Sequence, residues 1–114
     1  MAFEAEVRDK DGVAVLDLNG EVDAAADEAL NAAYERAVSG NPSTVLLNFD
    51  DVSYINSTGI ALIVGILAEA RGSSRNLVAC GLSDHYKEIF EITRIADFVT
   101  VYDSEEAAVA TTRR

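Results

Sequence analysis

Hydrophobic and polar positions alternate at the start of the chain. In 3-FEAEVR-8 and 13-VAVLDLNG-20 apolar residues fall largely at every second place, the spacing of strands with one buried face. Lys10-Asp11-Gly12 supply turn residues between them, which predicts a hairpin. From Ala25 to Val38 the period changes. Leu30, Ala33, Tyr34, Ala37 and Val38 recur three and four residues apart, with Asp27, Glu28, Asn31 and Glu35 opposite, so an amphipathic helix is expected, closed by Ser39-Gly40-Asn41-Pro42. A short strand, 44-TVLLNF-49, follows and ends at the acidic turn Asp50-Asp51; a helix is then predicted from about Ser57 to Arg71. After Gly72-Ser73-Ser74, 76-NLVACGL-82 reads as a buried strand. Ser83 is placed to cap a helix with Tyr86, Ile89 and Phe90 inward, 98-FVTVY-102 is a last strand, and Ser104 with Glu105 and Glu106 opens a terminal helix.

Strands alternating with helices predict an α/β fold: a mixed, mostly parallel sheet of about four to five strands with about four helices, its antiparallel edge made by the N-terminal hairpin. The 114 residues, 49% hydrophobic and 25% charged, fit one folded domain spanning 1–114. The longest strongly apolar run, Ile60 to Ala68, falls far short of the roughly 20 residues that cross a bilayer, and MAFEAEVRDKDG lacks a signal peptide's basic start and apolar middle. The expected location is cytoplasmic, without membrane insertion. A formal charge of −11 disfavours nucleic acid and anionic lipid as partners. One cysteine and one histidine make neither an internal disulfide nor a Cys/His metal cluster, and Cys80 sits in an apolar strand as an ordinary buried thiol. Arg113-Arg114 reads as a solvated end.

The chemistry concentrates at Asn56-Ser57-Thr58-Gly59, just before the most apolar helix. The amide and the hydroxyls are expected to cap that helix, since such oxygens satisfy the free N–H groups of a first turn. If Ile60, Ile63, Val64 and Leu67 line its inner face, Leu62 and Ile66 point away, where a surface helix carries charge. Either neighbouring elements bury them or they form a docking patch for another protein. A phosphate added to a hydroxyl at this helix start would be held by the N–H groups and the dipole, while an apolar partner would have to desolvate a dianion.

The stretch Asp51-Val52-Ser53-Tyr54-Ile55-Asn56-Ser57-Thr58-Gly59-Ile60 resembles the signature loop of STAS domains, in particular bacterial anti-sigma factor antagonists, whose Asp-Ser-[Ser/Thr]-Gly motif carries a phosphoacceptor serine. Gly20-Glu21-Val22-Asp23 is similar to the family's segment after the second strand, and Phe90-Glu91-Ile92-Thr93, Phe98 and Ser104-Glu105-Glu106-Ala107 to its C-terminal pattern. The resemblance implies a non-enzymatic switch without a cofactor. The unphosphorylated protein would bind an anti-sigma factor that is also a serine kinase of the histidine-kinase ATPase type, freeing a sigma factor. Phosphorylation would end the complex and a PP2C-type phosphatase would reset it. By position the acceptor is Ser57, with Thr58 the alternative. Glu21, Asp23, Asn56, Ser57, Thr58, Gly59, Leu62 and Ile66 are the partner-binding candidates. Asp23 also suits an N-cap. The chain departs from the family's pattern in two places: Asn56 stands where Asp is usual, and the segment Ala24-Ala25-Ala26 where relatives often carry Thr or Asn.

Other functions find less support. Ser57, His85 and a carboxylate would make a hydrolase triad, but the serine lacks the Gly-x-Ser-x-Gly elbow. No Gly-x-x-x-x-Gly-Lys-[Ser/Thr] or Gly-x-Gly-x-x-Gly segment occurs. The competing reading is an accessory subunit of a stress-signalling assembly or transport system, in which Ser57 is not phosphorylated.

Overall fold

In a computed structural model that describes residues 2–112, the alternating opening segments form strands β1 (Glu4–Lys10) and β2 (Val13–Val22), joined across Asp11-Gly12. Both turn residues have positive φ, 53° and 88°, as the tightest hairpin turn requires. The remaining order is helix α1 (Asp27–Val38), strand β3 (Thr44–Ile55), helix α2 (Ser57–Gly72), strand β4 (Asn76–Cys80), helix α3 (Asp84–Ile92), strand β5 (Thr100–Tyr102) and helix α4 (Glu105–Thr112). Arg113 and Arg114, expected to be a solvated end, lie outside the described residues.

The strands lie side by side in sequence order, antiparallel between β1 and β2 and parallel thereafter. Parallel neighbours need a crossover, and crossovers of one hand stepping in one direction put their helices on one face. That face, carrying Leu16, Leu18, Val45, Leu47, Leu77 and Ala79, packs into the main core with Leu30, Ile63, Ile66 and Phe90 of the three crossover helices. The rings of Phe49 and Phe90 meet edge to face, 6.0 Å apart. The alternate residues Val13, Val15, Leu46, Val78 and Cys80 point to the other face, where Ala108 and Val109 of α4 cover them. Burial beneath α4 pushes the Cys80 thiol up to about 12, aided by Asp50, so the sulfur stays protonated.

Several element boundaries differ from the pattern, three of them for reasons visible in the structure. The strand predicted to stop at Phe49 continues to Ile55, because β2 pairs beside it through Asp51, Val52, Tyr54 and Ile55, and Asp50-Asp51 make no turn. The helix predicted from Ala25 begins at Asp27, after a 3-10 turn at Ala24–Ala26. The last strand begins at Thr100, because Phe98 closes another 3-10 turn, Ile95–Asp97.

Candidate functional site

The site grows from the far ends of β2 and β3. β4 accompanies β3 only as far as Asn48, so residues 49–55 have a strand neighbour on one side alone. A strand amide there needs another acceptor. Ile55, which pairs with Val22 in the sheet, donates its N–H to the hydroxyl of Tyr86 on α3, at 2.9 Å. Asn56 follows with extended backbone, donates its N–H to the Val22 carbonyl at 3.2 Å, and accepts the Gly59 N–H on its side-chain oxygen at 2.8 Å. This is the helix cap. Gly59 is required by closeness: a Cβ there would stand 1.9 Å from the Val22 oxygen. The loop is thus fastened at Ile55, Asn56 and Gly59, and between the last two Ser57 and Thr58 face solvent.

The expected capping role of the two hydroxyls is corrected by this geometry. The amide oxygen of Asn56 serves, and neither hydroxyl bonds to another described residue. Of the four α-helices among the described residues, α2 alone has no acid in its first turn; α1 opens with Asp27 and Glu28, α3 with Asp84, and α4 with Glu105 and Glu106. The positive end of its dipole is therefore uncompensated by side chains at the position of Ser57.

Because Val22 and Ile55 are register partners, the residues after them, Asp23 and Asn56, leave the sheet side by side. Asp23 caps the following 3-10 turn, its carboxylate accepting the Ala25 N–H at 3.0 Å. Glu21 is half-buried and lies opposite Tyr54, which is 49% exposed.

Leu62 and Ile66 do not form the outer face of α2. Ile66 is 1% exposed and belongs to the main core; Leu62 is half-buried against it. Packing sets the inner face as Gly59, Ile63, Ile66, Leu67 and Ala70, and the residues that reach solvent are Ser57, Thr58, Ala61, Val64, Gly65 and Ala68, followed in the last turn by Glu69, Arg71 and Gly72. From Ser57 to Ala68 this outer strip bears no charge, and Val64 is 44% exposed. Its signal in the sequence was Gly65. A helix-interior glycine weakens a helix, and this one has no close contact to require it: an added Cβ would meet nothing within 4 Å. Tyr54 and the bond from Ile55 to Tyr86 also escaped the sequence, where Tyr86 reads simply as a packing residue.

Among the described residues, no group of three or more His, Cys, Asp or Glu could hold a metal ion. The exposed His85 ring packs on Tyr86, centroids 4.9 Å apart, and makes no hydrogen bond to Ser57. No described helix is long and apolar enough to cross a membrane.

The chain matches the STAS domain family over residues 4–108. It is 30% identical over 105 residues to an anti-sigma-B factor antagonist of Listeria monocytogenes, covering 92% of this chain and 91% of the relative. Its fold superposes on the crystal structure of an anti-sigma factor antagonist from Mycobacterium paratuberculosis with a TM-score of 0.84 at 19% identity, covering 98% and 95% of the two chains. For the Bacillus cell fate determinant SpoIIAA in its phosphorylated form the TM-score is 0.73 at 25% identity, covering 98% and 100%.

Proposed function

Since the chain belongs to the STAS domain family, we propose that it is an anti-sigma factor antagonist, a binding module whose hold on an anti-sigma factor is set by phosphorylation of Ser57. One observation carries this reading. Ser57 is the exposed first residue of the one helix that lacks an acid in its first turn, and it opens directly onto that helix's uncharged outer strip.

The physics of the switch follows from that placement. A phosphate on Ser57 adds about −1.5 to −2 charges where N–H groups and the helix dipole accommodate them. The same charge stands at the end of Ala61, Val64, Gly65 and Ala68, so a partner covering the strip must strip water from a dianion. The fold accepts the charge and the complex does not. Asp23 and Glu21, on the adjacent β2 end, suit basic groups of the partner before phosphorylation and add repulsion to the phosphate after it. The matching kinase is the anti-sigma factor itself, of the histidine-kinase ATPase type, and the reset is by a PP2C-type phosphatase.

Titration against the anti-sigma factor of the native cell tests this reading. Ser57→Asp should weaken binding by at least tenfold, about 1.4 kcal/mol, with thermal stability unchanged or slightly raised. Asp23→Lys should also weaken binding without unfolding the domain. Unchanged affinity in both variants would remove the proposal.

A second reading has Asn56 in its favour. Asn keeps the cap but omits the charge usual beside the acceptor, which suits an accessory subunit whose Ser57 stays unmodified. A stable assembly indifferent to Ser57→Asp would select it.

A further inference from the structure

Among the described residues β1 is the outermost strand, and no strand pairs with its far edge from Glu4 to Lys10. The two-residue turn at Asp11-Gly12 fixes which backbone groups that edge presents. Lys10 and Val13 flank the turn and exchange both backbone bonds, and bonded and non-bonded pairs alternate from there. Lys10, Arg8, Glu6 and Glu4 therefore direct their N–H and C=O towards β2, while Asp9, Val7 and Ala5 direct theirs outward.

The side chains on this strand are ordered by charge. Ala5 and Val7 pack on the main core, so Glu4, Glu6, Arg8 and Lys10 share the opposite face, two acids followed by two bases. A strand charged only to keep other edges away is well served by one sign; this order is complementary to itself. With a second β1 laid antiparallel on the edge and Val7 on the twofold axis, the outward groups of Val7 meet those of the other Val7, and Ala5 meets Asp9. Glu6 then faces Arg8 and Glu4 faces Lys10, in the non-bonded pairs where side chains approach most closely. Parallel pairing would set like charge against like.

Within one chain these charges are incompletely matched. Glu6 lies opposite Asp17 and Glu4 opposite Asn19, and neither acid is in an ion pair among the described residues. Lys10 is 4.0 Å from Glu105 with its side chain 48% exposed. Arg8 donates four hydrogen bonds, to Asp17 and Glu105, and keeps one of its five N–H groups.

We propose that β1 pairs with β1 of a second copy of this chain, antiparallel about Val7, joining the two sheets. One short strand per copy makes a small interface, at the weak end of the range below about 1,200 Å². The net charge of −11 on each copy opposes approach, and that repulsion is screened beyond about 8 Å at 0.15 M salt.

Sedimentation equilibrium of the whole chain at physiological salt, over about 10 µM to about 1 mM, tests the pairing. The weight-average mass should rise towards that of a dimer. Lys10→Glu and Glu4→Lys should each weaken the dimer about tenfold or more, and the double variant Glu4→Lys with Lys10→Glu, which reverses the pair, should restore it. A chain that stays monomeric throughout, a dimer indifferent to the single substitutions, or a double variant no better than the singles would each overturn the proposal.

Discussion

At Gly59 a single hydrogen atom decides where the loop can sit. Its Cα faces the Val22 carbonyl so closely that a methyl group must displace backbone, on β2 or on α2. Gly59→Ala should therefore cost at least the 1–3 kcal/mol of an overpacked core, about what a buried methylene's misfit brings. The shift should centre on Ser57 and Thr58, seen as changed amide resonances in the loop; a variant with unaltered melting and unaltered loop spectra would contradict the contact. The neighbouring Asn56 is more replaceable. Its oxygen accepts one N–H, and an Asp oxygen does the same, so the family's usual residue fits this cap without rearrangement. What the sequence made legible here was the cap by the Asn56 amide. What it concealed was the reason for glycine, which lies in a strand distant along the chain, and the support from Tyr86, whose hydroxyl looks like any helix tyrosine until β4 is seen to stop short.

At the scale of the element, α2 explains why its orientation could not be read in advance. A helix with charges on one side announces its buried side, but from Ser57 to Ala68 no charge occurs, so hydrophobicity alone leaves the rotation open. The cap at Asn56 and the contact at Gly59 fix it, which turns Ile66 inward and Val64 outward. Substitutions separate the two faces. Val64→Asp should leave stability within about 0.5 kcal/mol, as exposed changes do, and should weaken binding of the anti-sigma factor. Gly65→Ala, in open space, should stabilise the helix by roughly 0.5–1 kcal/mol. A destabilised Gly65→Ala protein, measured by urea titration, would mean that this face is packed within the chain and is not free for a partner. The alternation of the hairpin and the three-four spacing of α1 were plain in the sequence because each has a polar face. The extension of β3 through Asp50-Asp51 was not, because two acids on a strand resemble a turn until β2 is placed beside them.

For the whole molecule, α4 is held on the sheet by more than the apolar contacts of Ala108 and Val109. Arg8 donates to both Asp17 and Glu105, tying hairpin to terminal helix. Hydrogen bonding from its guanidinium holds both carboxyls below their ordinary values. A lowered folded pKa gives stability that is present above the unfolded value, near pH 4, and is lost as pH falls through the folded value. Stability of the protein should thus decline on acidification from about pH 5, and Arg8→Met should flatten that decline, as measured by urea midpoints across the range. An unchanged slope in the variant would show that the tie contributes nothing. Partial exposure keeps the effect small, about the 0.2–1 kcal/mol of a surface pair. This tie lies on the face of the sheet opposite α2, so the proposed switch surface and the clamp on α4 lie on different sides of the fold.

The proposed switch stands or falls with a regulated phosphate on Ser57. Phosphosite mapping by mass spectrometry, on the protein taken from its native cells in growth and in stress with Ser57→Ala as the control, tests it most directly. Phosphate is expected on Ser57 with an occupancy that changes between the two conditions and disappears in the variant. An unmodified Ser57 in every condition, with the protein still bound to its partner, would contradict it.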